Sequence, residues 1–128
     1  MLEEKARDLL TGPNYGVLTT LLPDGQPQTH MVWVGTDGEH ALVNTEVHRQ
    51  KARNANRDPR ATLLVFDRND MWSWAEIRGE VVEMVTGPEA RKHIDELAHK
   101  YLGVDGYPNP IQSERVILKI APHRQLIR

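Results

Sequence analysis

A chain of 128 residues, 39% hydrophobic and 27% charged, has the size and composition of a single globular domain, residues 1–128, able to bury well over half of its unfolded surface. A formal charge of −2 gives no global electrostatic reason to bind nucleic acid or an anionic membrane, so any anion site must be local. Cysteine is absent, which excludes disulfides, thiolate metal ligands and a cysteine nucleophile and accords with a reducing compartment.

The start, Met1-Leu2-Glu3-Glu4-Lys5, is acidic and mixed where a secretory leader is basic and then apolar, so a cytoplasmic location is expected. No apolar run nears the roughly 18 residues of a spanning helix. Leu2, Ala6, Leu9 and Leu10 keep helical spacing until Gly12-Pro13, which predicts a short first helix. Tyr15 to Leu22 then reads as a strand, and Pro23-Asp24-Gly25 offers the fixed φ and the permissive glycine of a tight turn. Gln28 to Val34 is a second extended run, Asp37-Gly38 a second turn, and Ala41 to Thr45 a third strand.

Between Glu46 and Arg57 the residues become polar and helix-compatible, and Asp58-Pro59 ends that helix because the residue before proline is forced out of helical geometry. Ala61 to Phe66 is an apolar strand. Met71 to Val85 reads as one long strand in which Gly79 marks a bulge or bend. Pro88 and Glu89 start the clearest helix, whose stripe of Ala90, Ile94, Leu97, Ala98 and Tyr101 is closed by Gly103. Gly106, Pro108 and Pro110 mark a loop, and Val116, Leu118 and Ile120 alternate as a last strand. Six or seven short strands joined by turns, with peripheral helices, predict a mainly β fold: an antiparallel barrel whose closure would remove exposed edges.

The stretch with chemical content runs from Asn44-Thr45 through Arg49-Gln50-Lys51, Arg53, Asn54 and Arg57, where a strand gives way to a helix. A helix start has unpaired N–H groups and a partial positive charge, so it can hold a phosphate together with Lys or Arg. Lys51 and Asn54 share one helix face, and Arg49, Arg53 and Arg57 another. A solvated surface helix would read the same way, and the pattern alone leaves both open.

This stretch resembles the cofactor-phosphate segment of the pyridoxamine 5′-phosphate oxidase-like split-barrel superfamily, the FMN-binding split-barrel type. The matching residues are Asn44-Thr45, Arg49-Gln50-Lys51 and Asp58-Pro59-Arg60-Ala61. Pro27 to Val34 resembles the strand whose backbone flanks the flavin ring, and Trp74 to Val81 resembles the family's long strand with its glycine. His99-Lys100-Tyr101-Leu102-Gly103, Tyr107-Pro108 and Glu114-Arg115-Val116-Ile117 are similar to the branch that uses the deazaflavin coenzyme F420.

The resemblance implies Lys51 as the central phosphate cation, assisted by Asn44, Thr45, Arg49, Gln50 and Asn54. It places His30, Met31, Val32, Trp33 and Val34 along the ring system. It also implies a homodimer with cofactor sites at the interface, where Trp74 reaches in from the partner. His30 and Gly35 stand where the oxidase that names the family has arginine and lysine, which argues against an unaltered flavin mononucleotide (FMN) site and against pyridoxal phosphate synthesis.

The implied activity is an F420-dependent oxidoreductase that exchanges a hydride with a small conjugated substrate. The alternatives are an FMN-binding oxidoreductase of the same fold and a non-catalytic cofactor carrier. Nothing suggests a metal site: there is no HExxH, and His93 and His99 point to different sides of their helix. Ser73 and Ser113 lack a Gly-x-Ser-x-Gly context. No catalytic acid or base stands out, so water or a polar residue such as His30 is the expected proton source. Neither a nucleic-acid nor a membrane partner is expected.

Overall fold

The computed structural model describes residues 1–128. In chain order its elements are α1 (Glu4–Thr11), β1 (Tyr15–Leu21), β2 (Pro27–Val32), β3 (Gly35–Thr36), β4 (Ala41–Glu46), α2 (Gln50–Arg57), β5 (Arg60–Asp67), β6 (Asp70–Val85), α3 (Pro88–Leu102) and β7 (Arg115–Ile127). The seven strands form one sheet in the order β2-β1-β5-β6-β7-β4-β3, and every neighbouring pair is antiparallel.

The sheet curls because its two edges are tied together. β2 and β3 lie at opposite ends of the strand order, yet only Trp33 and Val34 separate them in the chain. A flat sheet would hold these edges roughly 29 Å apart at the usual interstrand spacing, whereas the link from Val32 to Gly35 reaches at most about 11 Å. The sheet therefore bends into a split β-barrel. The extended run expected over Gln28 to Val34 breaks at Trp33 because the chain there leaves β1 and begins to pair with β4. No ladder joins β2 to β3, so the expected closure is not made by backbone pairing: two edges meet at a seam.

Alternating side chains of β1, β4, β5, β6 and β7 fill the interior. Leu18, Val43, Leu63, Val65, Ile77, Val116, Leu118 and Ile120 form a core with Leu2, which precedes the first helix, Ala6, Leu9 and Leu10 from that helix and Ala52 and Ala55 from the second. α3 packs outside, where Ala90 meets Leu42 and Ile117 on the opposite face of β4 and β7. That double coverage explains why successive residues Arg115 to Leu118 are all buried.

Two further boundaries differ from the sequence expectation. α2 begins only at Gln50, after a turn over 47–49. β7 runs to Ile127, through Pro122, because the β6–β7 register shifts between Arg78 and Gly79, opposite that proline; a residue with no N–H to give is tolerated where the ladder is already broken. No helix is long and apolar enough to cross a membrane.

Candidate functional site

The end of β4, the start of α2, the Trp33-Val34 link and the loop before β7 converge on a cavity of 430 Å³. Twelve residues line it, among them Met31, Val32, Trp33, Asn44, Thr45, Arg49 and Lys51. These seven are the sequence-predicted site residues that the fold brings together. The wall also includes Tyr15, Ile94, Tyr107, Asn109 and Arg115, none of which sequence reasoning had given a role.

One end of the cavity is cationic. Arg49, Lys51 and Arg115 share it, beside the start of α2, where Arg49 is the N-cap residue and no side chain caps the helix. The open amide end and its dipole add to the positive potential. Burial, with repulsion from Arg49 and Arg115, pushes the Lys51 amine below its ordinary value. Burial likewise lowers Arg115, though Tyr107 and Glu46 oppose this. Such a cluster is held at an electrostatic cost that an arriving anion relieves.

The one carboxylate near these cations is Glu46, 1% exposed. Its Oε2 lies 3.6 Å from Arg115 Nη1 and 3.7 Å from Arg49 Nη2. Its Oε1 accepts from the amides of Gln112 at 2.8 Å and Ser113 at 2.6 Å. Burial opposes ionisation of Glu46, but those amides, with Arg115 and His48, outweigh it and hold the carboxyl below its ordinary value. Glu46 thus anchors the loop that carries Tyr107 and Asn109, while only partly neutralising the cations.

Asn44 orients the arginine. Its Oδ1 accepts from Arg115 Nε at 2.8 Å, and because arginine can only donate, this fixes which way the amide points. Its Nδ2 then donates to Ala90 O and to His93 Nδ1, each at 3.0 Å. His93 is therefore neutral with its proton on Nε2. Burial, with Lys100 and Arg115 nearby, depresses its pKa to about 4.

The other end is aromatic. The Trp33 indole stacks on Tyr101, centroids 5.2 Å apart and planes 4° from parallel, and meets Tyr107 edge-on at 6.2 Å. The Arg115 guanidinium lies over the Tyr107 ring at 5.1 Å, joining the two ends through a cation–π contact.

Five sequence-predicted residues stand outside this wall. Asn54 is fully buried and its amide donates to Thr20 Oγ1 at 3.1 Å and Gln28 Oε1 at 3.2 Å: it faces the barrel rather than the cavity. Gln50 donates to Asn54 Oδ1 at 2.7 Å and accepts from Arg53 at 2.6 Å. Val34 is fully buried at the seam. His30 is exposed on β2, and Trp74 sits half-buried on β6. Of the residues missed, Tyr107 and Arg115 lay inside motifs already noted but carried no signal of what they face. Ile94 had the spacing of a core residue, and Tyr15 opens an ordinary strand.

The family model described as pyridoxamine 5′-phosphate oxidase matches residues 2–126. The chain belongs to the pyridoxamine 5′-phosphate oxidase family. Among solved structures of that fold, the chain is similar to one named F420 reductase, at 31% identity and a TM-score of 0.83 over 98% of each chain. A conserved hypothetical protein from Mycobacterium tuberculosis is 27% identical at a TM-score of 0.68, with 98% of this chain and 83% of that one covered. General stress protein 26 from Bacillus anthracis, at 20% identity and a TM-score of 0.66 over 95% and 89% of the two chains, shares the fold. No cluster of three or more His, Asp or Glu side chains is placed to hold a metal ion.

Proposed function

We propose that this protein is an oxidoreductase that holds coenzyme F420 in the 430 Å³ cavity and exchanges a hydride with a small conjugated substrate. The observation that carries the reading is the pairing, within one cavity, of three cations at an uncapped helix start with a wall of aromatic and apolar side chains. That donor set suits a phosphate ester joined to a planar ring system. The similarity to a structure named F420 reductase supports the choice of deazaflavin.

Lys51, Arg49 and Arg115, with the first amides of α2 and Thr45, hold the phosphate. Met31, Val32 and Trp33 border the ring. Gln50 and Asn54 act behind the site, by fixing α2 against β1 and β2. The bound deazaflavin supplies the hydride chemistry. The chain supplies orientation, an anion clamp and a partly dry wall. The cavity lining holds no Asp, Glu or His but does hold Tyr15, Tyr107 and Lys51, so the proton comes from one of these groups, from water or from a group outside this wall such as His30.

We place the functional unit as a homodimer that brings Trp74 to the partner's cavity. Met31, Met71, Trp72 and Val82 are 61%, 62%, 65% and 55% exposed, large apolar side chains that a second copy would cover. Light scattering that reports a monomer at micromolar concentration would remove this part.

The family match over nearly the whole chain favours FMN as the second occupant, and a non-catalytic carrier of either cofactor is the third reading. Titration of apoprotein with each cofactor separates the first two: micromolar binding of FMN without binding of deazaflavin overturns the first choice. Reduced deazaflavin that stays unoxidised in the holoprotein before a panel of quinones and enones identifies the carrier. Lys51→Ala is expected to weaken binding of the phosphorylated cofactor by about 1.5–3 kcal/mol, roughly ten- to a hundredfold. Unchanged affinity in a fluorescence titration would place the phosphate elsewhere.

A further inference from the structure

We propose that Lys100 and Tyr101, in the last turn of α3, are positioning residues that clasp the barrel seam and set Trp33 as a wall of the cavity. The proposal takes from the functional reading only that this cavity is the binding site.

The seam creates a backbone problem. β2 pairs with β1 and β3 with β4, so the link between them has no strand partner, yet Val34 is fully buried. An unpaired buried N–H or C=O is costly. Two successive side chains of α3 satisfy both groups. Val34 N–H donates to Tyr101 Oη at 3.0 Å, and Lys100 Nζ donates to Val34 O at 2.5 Å.

Each of these side chains also grips a second point. Tyr101 Oη donates to Asn14 O at 2.7 Å, immediately before β1. Lys100 Nζ donates to Leu10 O at 3.0 Å, in the last turn of α1. The clasp therefore ties the end of the first helix, the entrance to β1 and the seam to one helix end. Burial depresses the Lys100 amine to about 8.

The clasp reaches the cavity through two neighbours. Trp33, one residue before Val34, lies flat on the Tyr101 ring and lines the cavity. Tyr15, one residue after Asn14, lines it too. The Tyr101 hydroxyl thus spans the two backbone segments that carry Trp33 and Tyr15, and fixes the distance between them. Tyr101 touches no occupant itself; it acts through Trp33 and Tyr15.

A mere fastener would lower stability and nothing else, so the test reads Trp33 directly. Full-length protein labelled with 5-fluorotryptophan gives three fluorine resonances, and the loss of one in Trp33→Phe assigns it. Tyr101→Phe keeps the stacked ring and deletes both hydroxyl contacts. It is expected to move the Trp33 resonance beyond its linewidth while those of Trp72 and Trp74 stay, and to weaken whichever of FMN or deazaflavin the wild type takes by roughly two- to tenfold. Lys100→Met is expected to act in the same direction, and serves if the first variant fails to fold. A Trp33 resonance unmoved in both variants, or one that moves with unchanged affinity, overturns the proposal. If the wild type takes neither cofactor, the functional reading fails, and the Trp33 resonance alone decides whether the clasp exists.

Discussion

Lys51 could be read from the sequence and Arg115 could not, although both face the same cavity. Lys51 sits among cations at a recognisable strand-to-helix transition, a local pattern. Arg115 heads a run of alternating apolar residues, and its contacts lie 69 and 71 positions away, at Glu46 and Asn44. Only the antiparallel pairing of β4 with β7, with Glu46 opposite Arg115 in register, brings them together. Glu46→Ala is expected to cost about 3 kcal/mol, because it leaves the Arg115 guanidinium, 7% exposed, without the charge it faces and strands two loop amides. Glu46→Gln keeps an acceptor for those amides and should lose less. Urea midpoints at an unchanged slope measure both, and equal stability of the alanine variant and the wild type would mean the pair contributes nothing.

Elements were legible in order and type because each carries its own periodicity, while their limits depended on partners that no local pattern reveals. β7 extends through Pro122 only because the β6–β7 ladder is interrupted there, with His123 of β7 left without a partner between Arg124 and Pro122, which face Arg78 and Gly79. The break at Trp33 reflects a change of neighbour rather than a breaker residue. Gly79, expected from the sequence to mark a bulge or bend, lies opposite the bulged residue of β7 rather than being the bulge itself, and gives the sharpest test at this scale. A Cβ there would stand 1.9 Å from Ala121 O, a backbone atom that cannot move without opening the β6–β7 ladder. Gly79→Ala is expected to destabilise by about 3 kcal/mol. Gly25→Ala, in a turn with φ of +89° and open space around it, should cost about 1 kcal/mol through backbone strain alone. Thermal midpoints in the reverse order would show that the close approach of β6 to β7 adapts and the turn does not.

At the scale of the whole molecule, the seam and the outer face of β4 and β7 store the ionisable groups on which pH acts. His93 holds α3 to β4 in its neutral form through Asn44. Its pKa is about 4 in the fold against the ordinary 6.5, so the unfolded chain binds the extra proton first. By linkage, its stabilising contribution is fully present above pH 6.5 and is lost as pH falls through about 4. Glu46, held below its ordinary 4.5, contributes above that value and loses its contribution at still lower pH. Lys100, near 8 against 10.5, is also depressed, so its contribution is greatest above 10.5 and declines as pH falls through about 8. All three signs agree, and the fold is expected to be more stable in mildly alkaline than in mildly acidic solution. Between pH 6.5 and 4 the slope from His93 is at most about 1.4 kcal/mol per pH unit. His93→Gln keeps an acceptor for Asn44 and cannot take up the proton, so it should flatten that limb while leaving the steeper loss below pH 4.5 that belongs to carboxylates. Unfolding free energies of both proteins across pH 4 to 8 test this: parallel curves would mean that His93 does not titrate as its burial demands, and that α3 is not held to β4 through a neutral imidazole.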